Sequence, residues 1–242
     1  MLKRTFDFLA SAIGLILLSP LLVPVAIMVW LQDYHSPLYV APRVGLGDRI
    51  FKMYKMRSMV INADKSGVDS TGTNDRRITK LGHFIRRYKL DELTQLINVF
   101  LGDMSLVGPR PNVKRDTDIY TSVERELLSV RPGVTDLASI VFADEGDILK
   151  DSTDPDLDYN QLIRPWKSRL ALLSIEHQGF VFDFRVLVLT AAAIVSRARA
   201  LTGVVMLLRE VEAPADVVRV AERQEKLVPH PPPGASGIVT SR

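Results

Sequence analysis

The stretch that most constrains this chain is residues 8–31, FLASAIGLILLSPLLVPVAIMVWL, 24 residues without a charge between Asp7 and Asp33. As a helix it would reach about 36 Å at 1.5 Å per residue, enough for the hydrocarbon core of a bilayer. Two prolines interrupt it. Pro20 removes the hydrogen bond to the Ile16 carbonyl, and Pro24 removes the one to Pro20. Ser19 can bond back to a freed carbonyl and sharpen a bend at Ser19-Pro20. Both flanks are basic: Lys3 and Arg4 before the run, and Arg43, Arg49, Lys52, Lys55 and Arg57 after it. The positive-inside rule puts both flanks on the cytoplasmic side. A single crossing cannot do that, whereas a re-entrant helix that bends and returns can. A cleaved signal peptide is the competing explanation, but no small-x-small site closes the run.

Composition sets the remaining bounds. With 242 residues, the chain can hold one domain of roughly 200 residues plus appendages. The formal charge of +3 suits anionic partners: phosphate-bearing ligands, a membrane face or nucleic acid. The chain has no cysteine, which excludes disulfides and thiolate metal sites.

Three regions follow: a re-entrant membrane anchor over 1–34, a cytoplasmic-face domain over 35–210, and a Pro-rich tail over 211–242, expected to be disordered. Within the domain, residues 38–57 read as a short β-hairpin around Gly45-Leu46-Gly47-Asp48. Residues 62–77 read as a mobile polar loop. Leu90, Leu93, Leu96, Ile97, Phe100 and Leu101 recur at helical spacing, and Gly102 suits the helix end. A turn-rich loop holding Gly108-Pro109-Arg110-Pro111 follows, then helical patterns over 117–129 and 159–178. Residues 144–158 carry seven acids and only Lys150, read as a solvated loop with no defensible metal motif. The apolar stretch 183–208 is broken by Arg197 and Arg199 and suits an interfacial or packed helix. The fold class expected is an α-rich α+β domain on a membrane surface.

Asp91 and Glu92 open the helix near Leu90. Adjacent carboxylates at a helix start can simply favour the positive end of the macrodipole. Their setting argues for more. Arg86, Arg87 and Lys89 lie just upstream, and Asp91, Gln95 and Asn98 share one helical face. Arg110 sits in a loop stiffened by two prolines. Carboxylates and guanidinium groups together suit phosphoryl transfer, which needs charge neutralisation, a carboxylate-held metal and an aligned nucleophile.

The run RRYKLDELTQLINV over 86–99, then GDMSLVGPRP over 102–111, closely resembles the bacterial sugar transferase family, the monotopic polyprenyl-phosphate phosphoglycosyl transferases. Lys3-Arg4-Thr5-Phe6-Asp7, Ser19-Pro20, Arg43-Val44-Gly45, YKMRSM over 54–59 and DRRITKLG over 75–82 resemble it too. The likeness covers roughly residues 2–145 and weakens toward 200. It implies transfer of a sugar 1-phosphate from a UDP-sugar to polyprenyl phosphate with release of UMP, the first step of capsule, exopolysaccharide or O-antigen assembly. It implies Asp91 as the nucleophile, forming an aspartyl-phosphosugar intermediate, Glu92 as the Mg²⁺ ligand, Arg86 as a phosphate ligand, and Arg110 as a contact to the nucleotide or its phosphates. Lys55, Arg57 and Gln95 are further candidates for the substrate site, although Lys55 and Arg57 equally suit lipid headgroups. Membrane lipids are expected partners, and self-association as a homodimer is compatible.

The sequence departs from the family pattern at Tyr88-Lys89 and Thr94, and at Val134-Thr135-Asp136-Leu137-Ala138-Ser139, where a bearing on sugar choice is expected. The rival function is a non-catalytic membrane-anchored organiser of polysaccharide assembly, recruiting partners by the Pro-rich tail. Nucleic-acid binding lacks aromatic interleaving and any known motif.

Overall fold

A computed structural model describes residues 2–63 and 75–240. The expected loop over 62–77 falls mostly outside them. The N-terminal helix α1 (Leu2–Leu31) keeps Pro20 and Pro24 within one helical element. The expected helix–bend–helix is therefore not two separate helices. Ser19 Oγ donates to the Ile16 carbonyl at 2.8 Å, the acceptor that Pro20 leaves without a partner.

One face of α1 lies on the rest of the protein along its whole length. Asp7, Ser11, Leu22, Val25 and Val29 are buried, at the spacing of a helical stripe. Near the N-terminus, Asp7 accepts from Ser105 Oγ at 2.8 Å and from the Leu106 amide at 3.1 Å. Arg4 donates to the carbonyls of Val99 and Phe100, and Lys3 pairs with Asp183. Near the other end, Leu22, Val25 and Val29 pack with Met56, Ile85 and Leu90. The opposite face exposes Leu9, Ile13, Ile16, Leu17, Val23 and Ile27.

The expected hairpin is present. Strands β1 (Leu38–Val44) and β2 (Ile50–Met56) pair antiparallel, from Leu38 opposite Met56 to Val44 opposite Ile50. Three short helices follow: α2 (Lys80–Arg87), α3 (Leu90–Leu93) and α4 (Leu96–Leu101). The single helix expected from Leu90 is thus divided at Thr94-Gln95. Side-chain bonds to the open edge of β2 lie at and beside this break. Thr94 Oγ1 reaches the Tyr54 carbonyl at 3.2 Å, while Asn98 accepts from the Tyr54 amide at 2.9 Å and donates to the Lys52 carbonyl at 2.7 Å. Gly102 ends α4 as expected, with φ 98°.

A second sheet was not expected. Strands β3 (Ser105–Val107) and β4 (Gly133–Thr135) pair in parallel, joined by a crossover that holds α5 (Lys114–Asp118). The helix expected over 117–129 is replaced by α5 and a 3₁₀ segment, Glu124–Ser129. The main core lies among α6 (Leu137–Val141), α9 (Arg164–Glu176), α10 (Phe180–Val195) and α11 (Arg197–Glu210), around Ile140, Val141, Leu170, Val186, Val204 and Leu208. The apolar stretch over 183–208 divides at Ser196, whose hydroxyl accepts from the Arg199 amide to cap α11. The outer side of α10 exposes Phe180, Val181, Phe184 and Val188, and Phe180 meets Phe6 of α1 edge-on at 5.4 Å.

Two expectations are corrected here. The acidic stretch is structured, with α7 (Glu145–Ile148) and α8 (Pro155–Asp158) in it. Arg197 and Arg223 hold Asp144, Lys167 holds Glu145, and Asp154 caps α8. The tail is not free chain either. It forms α12 (Ala215–Glu222) and then lies along α9 and the loop before Glu124. Thr121 Oγ1 donates to the Pro233 carbonyl at 2.5 Å, Gln161 Nε2 to Val239 at 2.7 Å and Arg169 to Pro231 at 3.1 Å, and His230 packs on Trp166. Proline lowers the entropy lost when such a segment is ordered, so its composition does not exclude docking.

Candidate active site

Asp91 and Glu92 sit on α3, in a turn that a charged residue starts. Lys89 precedes it in the left-handed region, φ 56°. That conformation costs roughly 1–2 kcal/mol for a residue with a Cβ, and such strain gathers at functional sites. It separates α3 from α2 and redirects the chain between Arg86 and Asp91.

Arg110 reaches the carboxylates from the β3–β4 side. The loop after β3 is held by the Gly108 amide on the Thr135 carbonyl at 3.0 Å and by the Gly133 amide on the Pro109 carbonyl at 2.9 Å. Gly133 permits this approach: a Cβ there would stand 2.1 Å from the Gly108 nitrogen. Thus held, Arg110 Nη2 donates to Glu92 Oε1 at 2.8 Å. From the hairpin comes Lys55, and from α2 comes Arg86, whose Nε donates to buried Ser58 Oγ at 3.0 Å.

The electrostatics separate the two acids. For Asp91, burial is the largest influence and raises its pKa, the Glu92 charge adding to it against Lys55, Arg86 and Arg110. Its Oδ1 is buried without a hydrogen-bond partner. Burial also pushes Glu92 up, but Arg110, Lys55 and Lys89 outweigh it and hold Glu92 at about 2. For Lys55, burial and the Arg110 charge lower the pKa to about 8, against Asp91 and Glu92. Arg110 is held above its ordinary value, chiefly by Glu92.

The sequence-derived set therefore converges in part. Asp91, Glu92, Arg86, Arg110 and Lys55 act on one another. Gln95 is buried beside them in sequence, its Nε2 without a partner. Arg57 does not serve as a free anion ligand. Its guanidinium is bidentate on Asp33, 2.6 Å to each oxygen, and ties the end of α1 to β2. That pairing holds Asp33 down at about 2. Ser19 and Pro20 lie on α1.

Sequence reasoning did not single out two charges. Arg43 lies close enough to Arg110 for the two cations to oppose each other. Glu145, on α7, feels Lys167, Arg110 and Lys89. Arg43 was visible only as a basic flank of the apolar run and as part of a family pattern, and Glu145 was hidden in a run of acids.

A divalent ion of the Mg²⁺ type takes one or two carboxylates and completes its shell with water and substrate phosphate. Among the described residues, no three His, Cys, Asp or Glu side chains converge. Glu92 fits that mode, because the bond with Arg110 uses only its Oε1.

The class defined by this geometry is an anion-handling site in which a buried acid stands among fixed cations, on a body that presents apolar helices. The family model described as bacterial sugar transferase matches residues 1–197, so the chain belongs to that family. Among curated proteins, it is 35% identical over 172 residues to the UDP-N-acetylgalactosamine-undecaprenyl-phosphate N-acetylgalactosaminephosphotransferase of Aeromonas hydrophila, covering 68% of this chain and 40% of that one. It is 34% identical over 172 residues to the UDP-glucose:undecaprenyl-phosphate glucose-1-phosphate transferase of Caulobacter vibrioides, covering 68% and 64%. Over 110 residues it is 44% identical to a putative undecaprenyl-phosphate N-acetylgalactosaminyl 1-phosphate transferase of Bacillus subtilis, covering 46% and 62%. The chain thus spans less than two thirds of the length of these relatives.

Proposed function

We propose that this protein transfers a sugar 1-phosphate from a UDP-sugar to polyprenyl phosphate, releasing UMP. The observation that carries the reading is Asp91: a buried carboxylate with an unpartnered oxygen, flanked by Lys55, Arg86 and Arg110. Such an oxygen has no competing hydrogen bond to lose when it attacks.

In the first step a carboxylate oxygen of Asp91 attacks the sugar-proximal phosphorus. The bond from that phosphorus to the bridging oxygen breaks, and UMP departs with the electron pair. An aspartyl-phosphosugar remains. In the second step a phosphate oxygen of the polyprenyl phosphate attacks the same phosphorus, and the bond to Asp91 breaks. The polyprenyl diphosphate sugar is released and the carboxylate returns. Splitting the transfer this way lets one site serve a soluble donor and a lipid acceptor in turn. Arg110 and Lys55 neutralise charge on the transferred group, and Arg86, braced on Ser58, holds a second phosphate. Glu92, ionised down to about 2, would hold Mg²⁺ together with donor phosphates. When bound, the ion supplies further neutralisation of phosphate charge.

The proposed setting is the cytoplasmic face of the bacterial inner membrane. Both ends of α1 rest on one body, which cannot stand on two sides of a bilayer, and this supports a re-entrant or interface-lying anchor. The apolar outer faces of α1 and α10 would lie in lipid. UDP-sugars are cytosolic, and the acceptor phosphate sits at headgroup depth, so a site beside these faces meets both. The test is UMP release from a panel of UDP-sugars with a short polyprenyl phosphate. Activity that persists in full in Asp91→Asn would overturn the reading.

A further inference from the structure

A cavity of about 40 Å³ opens beside Arg110, between the start of α6 and α9. Since one probe sphere of water takes about 10–15 Å³, that is room for roughly three waters, or for one edge of a ring. A whole nucleotide would not fit. Its wall carries Asp136, Ser139, Tyr159 and Lys167 beside Arg110. Asp136 caps α6 through the Ser139 amide at 2.7 Å and also takes the Ser139 hydroxyl at 2.6 Å. Lys167 is anchored by Glu145 and lies 5.5 Å from the centre of the Tyr159 ring.

Burying polar groups costs free energy unless each is satisfied. Asp136, Ser139 and Lys167 are partnered within the protein, whereas the Tyr159 hydroxyl has no hydrogen-bond partner among the described residues and can take one from a ligand. The wall also shares Arg110 with the Asp91–Glu92 site. Hydroxylated rings are recognised by such mixed donors and acceptors, with an aromatic face beside them.

We infer that this cavity is a subsite for a hydroxylated ring of the donor, entered edge-on, with Ser139 and Tyr159 as its specificity-determining contacts. The inference rests on the donor chemistry proposed above. A UDP-sugar has two such rings, the ribose and the transferred sugar, and both sit one phosphate or less from the group that Arg110 would hold. Burial pushes Asp136 up, and burial also pushes Tyr159 up, so both are suited to exchange hydrogen bonds with neutral hydroxyls.

The test uses the full chain in lipid nanodiscs, with Ser139→Ala and Tyr159→Phe made separately. Each removes one hydroxyl and little volume. Three quantities are read: kcat and KM for the best UDP-sugar, and the inhibition constant of UMP. A KM raised about tenfold with kcat changed less than threefold is expected, one lost neutral hydrogen bond being worth up to about 1.5 kcal/mol. If UMP inhibition weakens in parallel, the ring is the ribose. If it is unchanged while KM rises, the ring is the transferred sugar. Unaltered KM and UMP inhibition in both variants, at wild-type melting temperature, would overturn the subsite. No UMP release by the wild type with any UDP-sugar would instead overturn the function on which it rests.

Discussion

Two glutamate–arginine pairs in this protein have opposite characters, one buried and one part-exposed. Glu124 and Arg164 are closed on all sides, with side chains 0% and 6% exposed. Glu124 takes Arg164 Nε at 3.0 Å and Nη2 at 2.5 Å, Ser168 Oγ at 2.8 Å and the Thr121 amide at 3.1 Å. Arg164 also donates to Asn160 and to the Ile119 carbonyl. Glu92 and Arg110 share one bond, and their side chains are 21% and 37% exposed. Beside them, Asp91 Oδ1 has no partner at all. The first pair has spent its hydrogen bonds on the fold. The second keeps capacity in reserve, which a structural role would not require and a ligand would use.

The sharpest way to break this contrast is at the reserve. Asp91→Asn replaces the nucleophile with an amide of nearly the same shape. UMP release should fall on the order of 10⁴-fold or more, as when other enzymes lose a nucleophile, while the melting temperature holds or rises. A fall in stability with activity kept would reverse the roles assigned to the two pairs. Next comes Glu124→Ala, which leaves Arg164 buried and unpaired. A loss of about 3–5 kcal/mol in unfolding free energy is expected, read by denaturant melts. Smaller again is Arg110→Ala: a drop of about 10²–10³ in kcat, the scale for one charge-stabilising donor, with only a modest stability change.

Only one side of this contrast, the candidate site, is legible in the sequence. Asp91, Glu92, Arg86 and Arg110 stood out because charge density and loop stiffness are local properties of a sequence. The hairpin and the Gly102 terminus were legible for the same reason. What escaped depends on long-range partners. Arg57 looked like a free cation until Asp33, 24 positions away, was placed against it. Asp7 marked the edge of an apolar run, yet it is buried on β3 almost a hundred positions on. The division of α3 from α4 accompanies bonds to Tyr54 and Lys52, which helical periodicity cannot register. The acidic run looked solvated because its cations, Lys167, Arg197 and Arg223, come from three later helices or their ends.

The finest test is pH, because it titrates the reserve without changing a residue. The profile of kcat/KM reports groups of the free enzyme. Lys55 is charged below about 8 and neutral above it, since burial and Arg110 disfavour its charge. Loss of that charge weakens phosphate binding, so kcat/KM should fall as pH rises through about 8. The charged fraction then drops about tenfold per pH unit. Lys55→Arg keeps the charge throughout and should remove this limb. On the acid side, Asp91 must be ionised to attack, so activity should fall as pH drops through its raised pKa. Glu92 stays ionised to about 2 and should add no second acid step above that. The Glu124–Arg164 pair takes no part in the proposed phosphate chemistry, so Glu124→Gln should leave both limbs in place. An alkaline limb that survives in Lys55→Arg would move the titrating group off the hairpin and leave Arg110 to neutralise the transferred phosphate without Lys55.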